Sequence, residues 1–440
     1  TKEEKKAEVS LKVSWGKTFQ KISVPLVLKA GTTTEHYFEL PPVQEGTLSL
    51  TASAKTDKDY DEITEEVNVR PRANVIRVGT GGVATVDVKK VLTLPEKNLK
   101  NVQVGVQYGP SLSSVLLSQQ PNSLSDGMSV ASRGLTAYQI VRYLEGTEVQ
   151  SGGLYEKWFN TFEGAVLHLM LNQNSDGGFT YSGMNSTNAR QKATSQKSFY
   201  AQSDAYVSAL SLRLIALAKE RGIPGLEDCL TRGQNYLKNQ FSRATTNVEK
   251  AAILYGLVET GAIDFAYLNR LHRERNQLDS YSLSLLTLLF SHLDRKVYAQ
   301  EVAQILAKRD LTQPDPVPSS MKEKQSLCWS RDHVELMALA ANAFIMANSP
   351  RSQVEPLLEK LMEYRGYQSW SSPKANAAAT EALTNYLLTY KPARDVRYRL
   401  ELLLNGKSVH TAEIQGGEPI QELYFPLPDG SENATLELKL

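Results

Sequence analysis

Cysteine is nearly absent from the 440 residues: Cys229 and Cys328 are the only two. Two thiols supply neither a disulfide framework nor a four-ligand zinc site. A surplus of either charge is missing too, with 49 Lys and Arg against 48 Asp and Glu, a net charge of +1. Bulk attraction to nucleic acid or an anionic membrane needs a basic surplus, so neither partner is expected. No apolar run reaches the roughly 18 residues that span a bilayer. The longest candidate, 283–293, is broken by Ser284, Thr287, Ser291 and His292. The opening Thr1-Lys2-Glu3-Glu4-Lys5-Lys6 holds no apolar segment of the signal-peptide kind. The last five residues, Leu436 to Leu440, stop inside an alternating pattern, so the chain reads as a piece of a longer protein. What is present is ordinary. Apolar residues make up 41% and charged ones 22%, globular values, in a length that suits two to four domains at roughly 100–200 residues each.

Three zones differ in period. From Val9 to about Leu117 apolar residues alternate: Val9, Leu11, Val13 and Trp15; Ile22, Val24, Leu26 and Leu28; Val102, Val104, Val106 and Tyr108. That period predicts antiparallel strands with one solvated face. Pro71 and the run Gly79-Thr80-Gly81-Gly82 mark loops, the first a candidate domain boundary. From about Leu135 to Tyr390 the period is helical, with about ten helices of 12–18 residues. Tyr206, Leu210, Leu214 and Leu217 form one stripe, capped by Ser203 or Asp204. Ser352 to Glu355 reads as a capping box, with Pro356 in the first turn and the helix ending at Gly366. Ser372-Pro373 reads as an N-cap followed by proline at the first helical position. The stretches 283–293 and 334–346 are apolar nearly all round, as helices surrounded by protein are. Buried helices alternating with half-exposed ones fit two concentric layers, an α/α toroid, and a generic helical array nearly as well. From Val396 strands return, with Asn405-Gly406 as a type I′ hairpin turn.

Several motifs invite chemistry. Gln173-Asn174-Ser175-Asp176-Gly177-Gly178-Phe179 resembles the recurrent turn of terpenoid-cyclase-like toroids, and also fits a plain helix C-cap with an Asp-Gly turn. Tyr364 to Trp370 looks like a weaker second copy. Asp57-Lys58-Asp59-Tyr60-Asp61 lacks the Gly and Glu that an EF-hand requires at its sixth and twelfth positions, and reads as a solvated edge. His36, His168, His272, His292, His333 and His410 show no metal-ligand spacing. Cys328, Asp332 and His333 could be compared with a prenyltransferase zinc site. The Asp-x-Cys pair of such enzymes is missing, however, and Asp332 with Glu335 reads as a capping box. No metal and no cofactor are expected.

In order along the chain these features resemble the thioester-domain region of bacterial alpha-2-macroglobulins. Val102–Leu116, with Tyr108-Gly109-Pro110-Ser111-Leu112, is similar to the last strand before the thioester domain. Tyr367 to Lys374 with the Ala-rich stretch to Tyr390 is similar to that domain's end, and Val396–Val409 to the return strand. The resemblance implies a mixed, multidomain fold: an α/α toroid (a terpenoid-cyclase-like helical barrel) inserted into a CUB-like β-sandwich, after a macroglobulin-like β-sandwich. The implied boundaries are 1–70 for the macroglobulin-like sandwich, incomplete or whole. The CUB-like domain then takes 71–112 as its first half and 393–440 as its second, around the toroid at 113–392.

One departure from the family matters most. Where thioester members carry Gly-Cys-x-Glu-Gln, this chain has Gly127-Met128-Ser129-Val130-Ala131-Ser132-Arg133. The nearest glutamines, Gln119, Gln120 and Gln139, have no cysteine partner. A thioester needs a thiol and a carboxamide a few residues apart, so this segment is expected to be a degenerate thioester-equivalent loop. The resemblance implies an extracytoplasmic protein that is not an enzyme, with a signal peptide upstream. Its partners would be target proteases, trapped through the full-length protein sterically or without a covalent bond, and other macroglobulin-like domains of the same chain; a protective role in the bacterial envelope is the variant of that function. The rival expectation is a toroid enzyme acting on a polyprenyl or polysaccharide substrate.

Overall fold

Alternation in the first seventy residues is realised as one antiparallel sheet. In the computed structural model the described residues are 4–16, 18–42, 46–69, 79–94, 99, 101–119, 126–148, 152–182, 202–313, 332–366, 369–391, 397–415, 418–428 and 431–440. Pro71, Gln120, Cys328, Tyr367, Gln368 and Val396 lie outside them. The chain divides into two compact units, Thr1–Arg77 and Val78–Leu440.

The first unit holds β1 (Lys5–Trp15), β2 (Thr18–Leu28), β3 (Gly46–Lys55) and β4 (Tyr60–Val69), in the order β2-β1-β3-β4. The period of two puts Leu11 opposite both Ile22 and Ala52, so one face is apolar. Leu11, Val13 and Leu48 are its buried centre, with Phe38 packed against them. The acidic stretch at 57–61 is the β3–β4 hairpin turn and the start of β4. Lys5 Nζ reaches Asp59 at 2.7 Å there.

In the second unit, strands from the two ends of the sequence pair with each other. β5 (Val88–Thr93) pairs with β12 (Asn433–Lys439), and β6 (Gln103–Tyr108) with β11 (Gln421–Pro426). β7 (Phe179–Thr180) and β8 (Ser203–Asp204) form a short pair of their own, and β9 (Arg397–Leu404) and β10 (Lys407–Gln415) complete the order β10-β9-β12-β5. Asn405 and Gly406 both have positive φ (52° and 79°), as a type I′ hairpin requires. Val104, Val106, Leu400, Leu402 and Ile414 share one core, and Tyr108 Oη lies 2.8 Å from His410 Nε2.

Between these strands run α1 (Leu112–Leu117), α2 (Gly127–Gly146), α3 (Gly153–Asn172), α4 (Ala205–Glu220), α5 (Glu227–Arg243), α6 (Asn247–Val258), α7 (Phe265–Arg273), α8 (Ser280–His292), α9 (Lys296–Leu306), α10 (His333–Met346), α11 (Arg351–Glu363) and α12 (Pro373–Tyr390). The even-numbered helices touch in a closed series: α2 against α4, then α6, α8, α10, α12 and back to α2. The odd-numbered α3, α5, α7, α9 and α11 each pack on a member of that series. This division follows from sequence, because α8 and α10 are apolar on nearly every side while α5 and α11 carry charged faces. No helix among the described residues is long and apolar enough to cross a membrane.

Four sequence expectations are corrected. Helix begins at Leu112 and again at Gly127, not near Leu135, because Asp126 accepts the Ser129 amide at 2.8 Å and starts α2. The helices after α1 run from 9 to 20 residues rather than 12–18. α11 starts at Arg351 behind Pro350, with no side-chain cap. Ser352 and Glu355 therefore form no capping box, and Pro356 is the sixth helical residue, beyond the first turn. Asp332 does cap α10, accepting from Val334 N at 2.9 Å, but Glu335 turns away from the cap into the interior.

Candidate functional site

The turn after α3 is built by its own side chains. Gln173 Nε2 donates to the carbonyls of Gly177 and Cys229, both at 2.9 Å. Asp176 Oδ1 accepts from the Gly178 amide at 2.9 Å and from Ser203 Oγ at 2.8 Å. Gly177 has φ +88°, and a Cβ there would lie 2.3 Å from the Arg232 carbonyl oxygen. Phe179 is buried, its amide on Ser208 Oγ at 2.8 Å. This turn joins α3 to α4 and α5. In the second, weaker copy, Trp370 is buried and donates Nε1–H to Leu361 O at 2.8 Å.

Gly127 to Arg133 is helix, not loop: it forms the first two turns of α2. Residues 127–132 are all buried, and the Gly127 amide donates to Tyr181 O at 2.7 Å. Met128 stands among them, with Ser129 Oγ donating to Asp126 Oδ2 at 2.9 Å. Gln119 is held close by on α12, bonded to Thr380 and Asn376 at 2.9 Å each.

A dense polar cluster lies elsewhere, inside the closed helix series. Lys374 (α12) and Glu335 (α10) form an ion pair at 2.7 Å. Tyr206 (α4) donates its hydroxyl to Glu335 Oε1, and Tyr281 (α8) lies 3.3 Å from the same oxygen. A second tier follows along α4 and α12. Arg213 grips Glu381 through two bonds, 3.0 and 2.6 Å, and reaches Glu259 at 3.4 Å. The two tiers line one cavity of about 40 Å³, room for roughly three water molecules.

Electrostatics there follow from burial and pairing. Burial, then the Glu335 charge, pushes Tyr206 and Tyr281 well above the usual phenol range, so both stay protonated. Burial opposes charge on Arg213 and Glu381, but each partner overrides it: Arg213 is raised and Glu381 lowered. Asp332 is lowered despite burial, through bonds from the Ser372 and Ser371 hydroxyls, both at 2.8 Å. Among the described residues no three His, Cys, Asp or Glu side chains could hold a metal. Of the suggested zinc set, Asp332 is committed to its cap and His333 packs edge-on against Tyr364. Sequence reasoning missed the two-tier cluster, because Arg213 and Glu381 stand 168 positions apart.

A scan against protein-family models finds no match for the sequence, and a search of curated proteins finds none either. Solved structures do match. The likeness is to bacterial alpha-2-macroglobulins, and it runs the length of the chain. One is native alpha-2-macroglobulin from Escherichia coli, spanning domain MG7 to the C-terminus: 13% identity, TM-score 0.54, all of this chain and 69% of that one. A second is the native conformation of the whole E. coli protein, at 14% identity and TM-score 0.54, of which 28% is covered. A third is Salmonella alpha-2-macroglobulin reacted with methylamine, at 13% and 0.53, of which 29% is covered. This chain thus spans under a third of the full-length bacterial proteins. At such identity the likeness is one of fold.

Proposed function

We propose that this chain is the thioester-domain region of a bacterial alpha-2-macroglobulin-like protease trap that has lost its thioester. The observation that carries the reading is the whole-chain likeness to native E. coli alpha-2-macroglobulin from MG7 onward. The closed series of even-numbered helices supports an α/α toroid, and the β5–β12 and β6–β11 pairs support its insertion into a CUB-like domain. The boundaries 71–112, 113–392 and 393–440, with a macroglobulin-like domain at 1–70, belong to the same proposal. So does an extracytoplasmic location behind an upstream signal peptide.

Loss of the thioester rests on chemistry. Salmonella alpha-2-macroglobulin reacts with methylamine, whereas residues 127–133 here supply neither thiol nor carboxamide. Capture would then be steric, and the chain would not be an enzyme. The rival enzyme reading needs space and an unpaired acid or base. The one cavity described among the helices holds roughly three waters, which favours neither a polyprenyl nor a sugar chain there, and Glu335 and Glu381 are each held by a cation. Intact mass spectrometry before and after methylamine tests the chemistry. The expected mass equals the sequence mass and does not change; an adduct within 113–140 overturns the assignment.

A further inference from the structure

The sheet of the first unit has two edges, β2 and β4, and they are built differently. The β3–β4 turn closes with the Thr56 amide donating to the Asp59 carbonyl at 2.8 Å, so these two residues are a hydrogen-bonded pair. Such pairs alternate along an antiparallel ladder. Residues 61, 63, 65, 67 and 69 therefore bond to β3, and the N–H and C=O groups of residues 60, 62, 64, 66 and 68 point away from it. The Glu62 amide agrees, because it turns outward to the Asp61 carboxylate at 3.0 Å. Carried across β3 and β1, the same alternation puts Lys21 and Pro25 at outward positions of β2. Lysine and proline are residues that close a strand edge to further pairing. β4 has neither.

Every residue from Tyr60 to Asn68 is exposed. On the face shared with Leu11 and Val13, Ile63 stands opposite Ala52 and Val67 opposite Leu48, which carries the apolar surface to the open edge. Ile63 is 63% exposed and Val67 43%. Asp61 and Glu65 alternate with them, while Glu62 and Glu66 lie on the other face. None of these four carboxylates is in a salt bridge among the described residues, and the nearby Lys5 is bound to Asp59. β4 holds no basic residue of its own. A second β4 centred on Ile63 would set Asp61 against Glu65, and like charges directly opposite are destabilising. A basic strand reverses the sign of that interaction.

We propose that the open edge of β4 docks a basic, extended peptide segment of another protein as an antiparallel fifth strand. Strand addition draws affinity from main-chain hydrogen bonds and specificity from alternate side chains. The outward main-chain groups of Thr64, Glu66 and Asn68 supply the first. Lysine or arginine opposite Asp61, Glu62, Glu65 and Glu66, with an apolar residue opposite Ile63 and Val67, supplies the second. The fitting segment reads basic-basic-x-apolar-basic-basic. The edge belongs to the first unit, and the proposal does not rest on protease trapping.

Fluorescence anisotropy of the labelled peptide Thr-Val-Lys-Lys-Thr-Ile-Lys-Lys-Phe, titrated with the whole chain, tests it. That sequence sets its lysines against residues 61, 62, 65 and 66. The expected result is saturable binding, weakened about tenfold or more by Thr64→Pro, which keeps the charge but removes a central edge-facing N–H. Circular dichroism checks that this variant is folded, as proline at an edge position allows. Glu65→Lys with Glu66→Lys should abolish binding. Hydrogen exchange of the parent gives an independent reading: the amides of Thr64, Glu66 and Asn68 should slow when the peptide is added. Absence of binding overturns the proposal. So does binding that a folded Thr64→Pro retains in full, or that slows none of those amides, since it would then be charge attraction alone. A chain that dimerises in a Thr64-dependent way and ignores the peptide would make the occupant a second copy, and overturns it equally.

Discussion

Lys374 and Glu335 stand 2.7 Å apart with 5% and 4% of their side chains exposed, one on each of two helices in contact, α12 and α10. A few residues away the same helices are joined again, where Asp332 at the start of α10 accepts from Ser372 at the start of α12. A buried ion pair contributes little net stability, yet removing one partner strands the other charge in a buried site.

Lys374→Met alone is therefore expected to cost about 3–5 kcal/mol, and Glu335→Leu with Lys374→Met much less than the sum of the singles. Urea unfolding of the double-mutant cycle measures this. Additive losses would mean that the two groups do not interact in solution.

Acid should weaken the fold through Asp332 and Glu381. Both have folded-state values below those of the unfolded chain. Their contribution is complete above the unfolded values of about 4 and is lost as pH falls through the lower folded ones. Ser372→Ala removes one donor to Asp332 and the cap of α12, at about 1 kcal/mol near neutral pH. The variant should also show a smaller loss between neutral pH and pH 3 than the parent. An equal or larger loss would show that Ser372 does not hold Asp332 ionised.

Gly177 and Gly222 separate backbone strain from crowding. Both have positive φ, +88° and +80°, but only Gly177 faces a carbonyl where its Cβ would sit. Gly222→Ala should cost about 1–2 kcal/mol, the left-handed penalty alone. Gly177→Ala should cost more and shift the turn that holds Asp176 and Gln173. Equal unfolding midpoints for the two variants would contradict the packed turn.

The pairing of β5 with β12 and of β6 with β11 predicts the effect of truncation. Removing residues 397–440 should uncover Val104, Val106 and Leu92, which pack in the shared core, and promote self-association through open strand edges. A monomeric, fully folded product in size-exclusion chromatography would contradict that pairing.

Local chemistry was legible in the sequence wherever neighbours along the chain decide it. Ser372-Pro373, Asp204, Asn405-Gly406 and the all-apolar α8 and α10 lie where period and capping place them. Long-range partners were not legible. Glu335 sits three residues after Asp332, the spacing of a capping box, and nothing local says that Lys374 draws it inward instead. Gly127 to Arg133 reads as a turn through its family resemblance, but Asp126 closes the first helical turn before a loop can form.

The account as a whole turns on whether the full-length protein holds a protease without bonding to it. The direct measurement is incubation of that protein with an active protease, followed by native size-exclusion chromatography and a denaturing gel of the same fraction. The account predicts that the protease co-elutes with the protein and separates from it completely on denaturation. A protease that never co-elutes, or one that remains attached after denaturation, would contradict it.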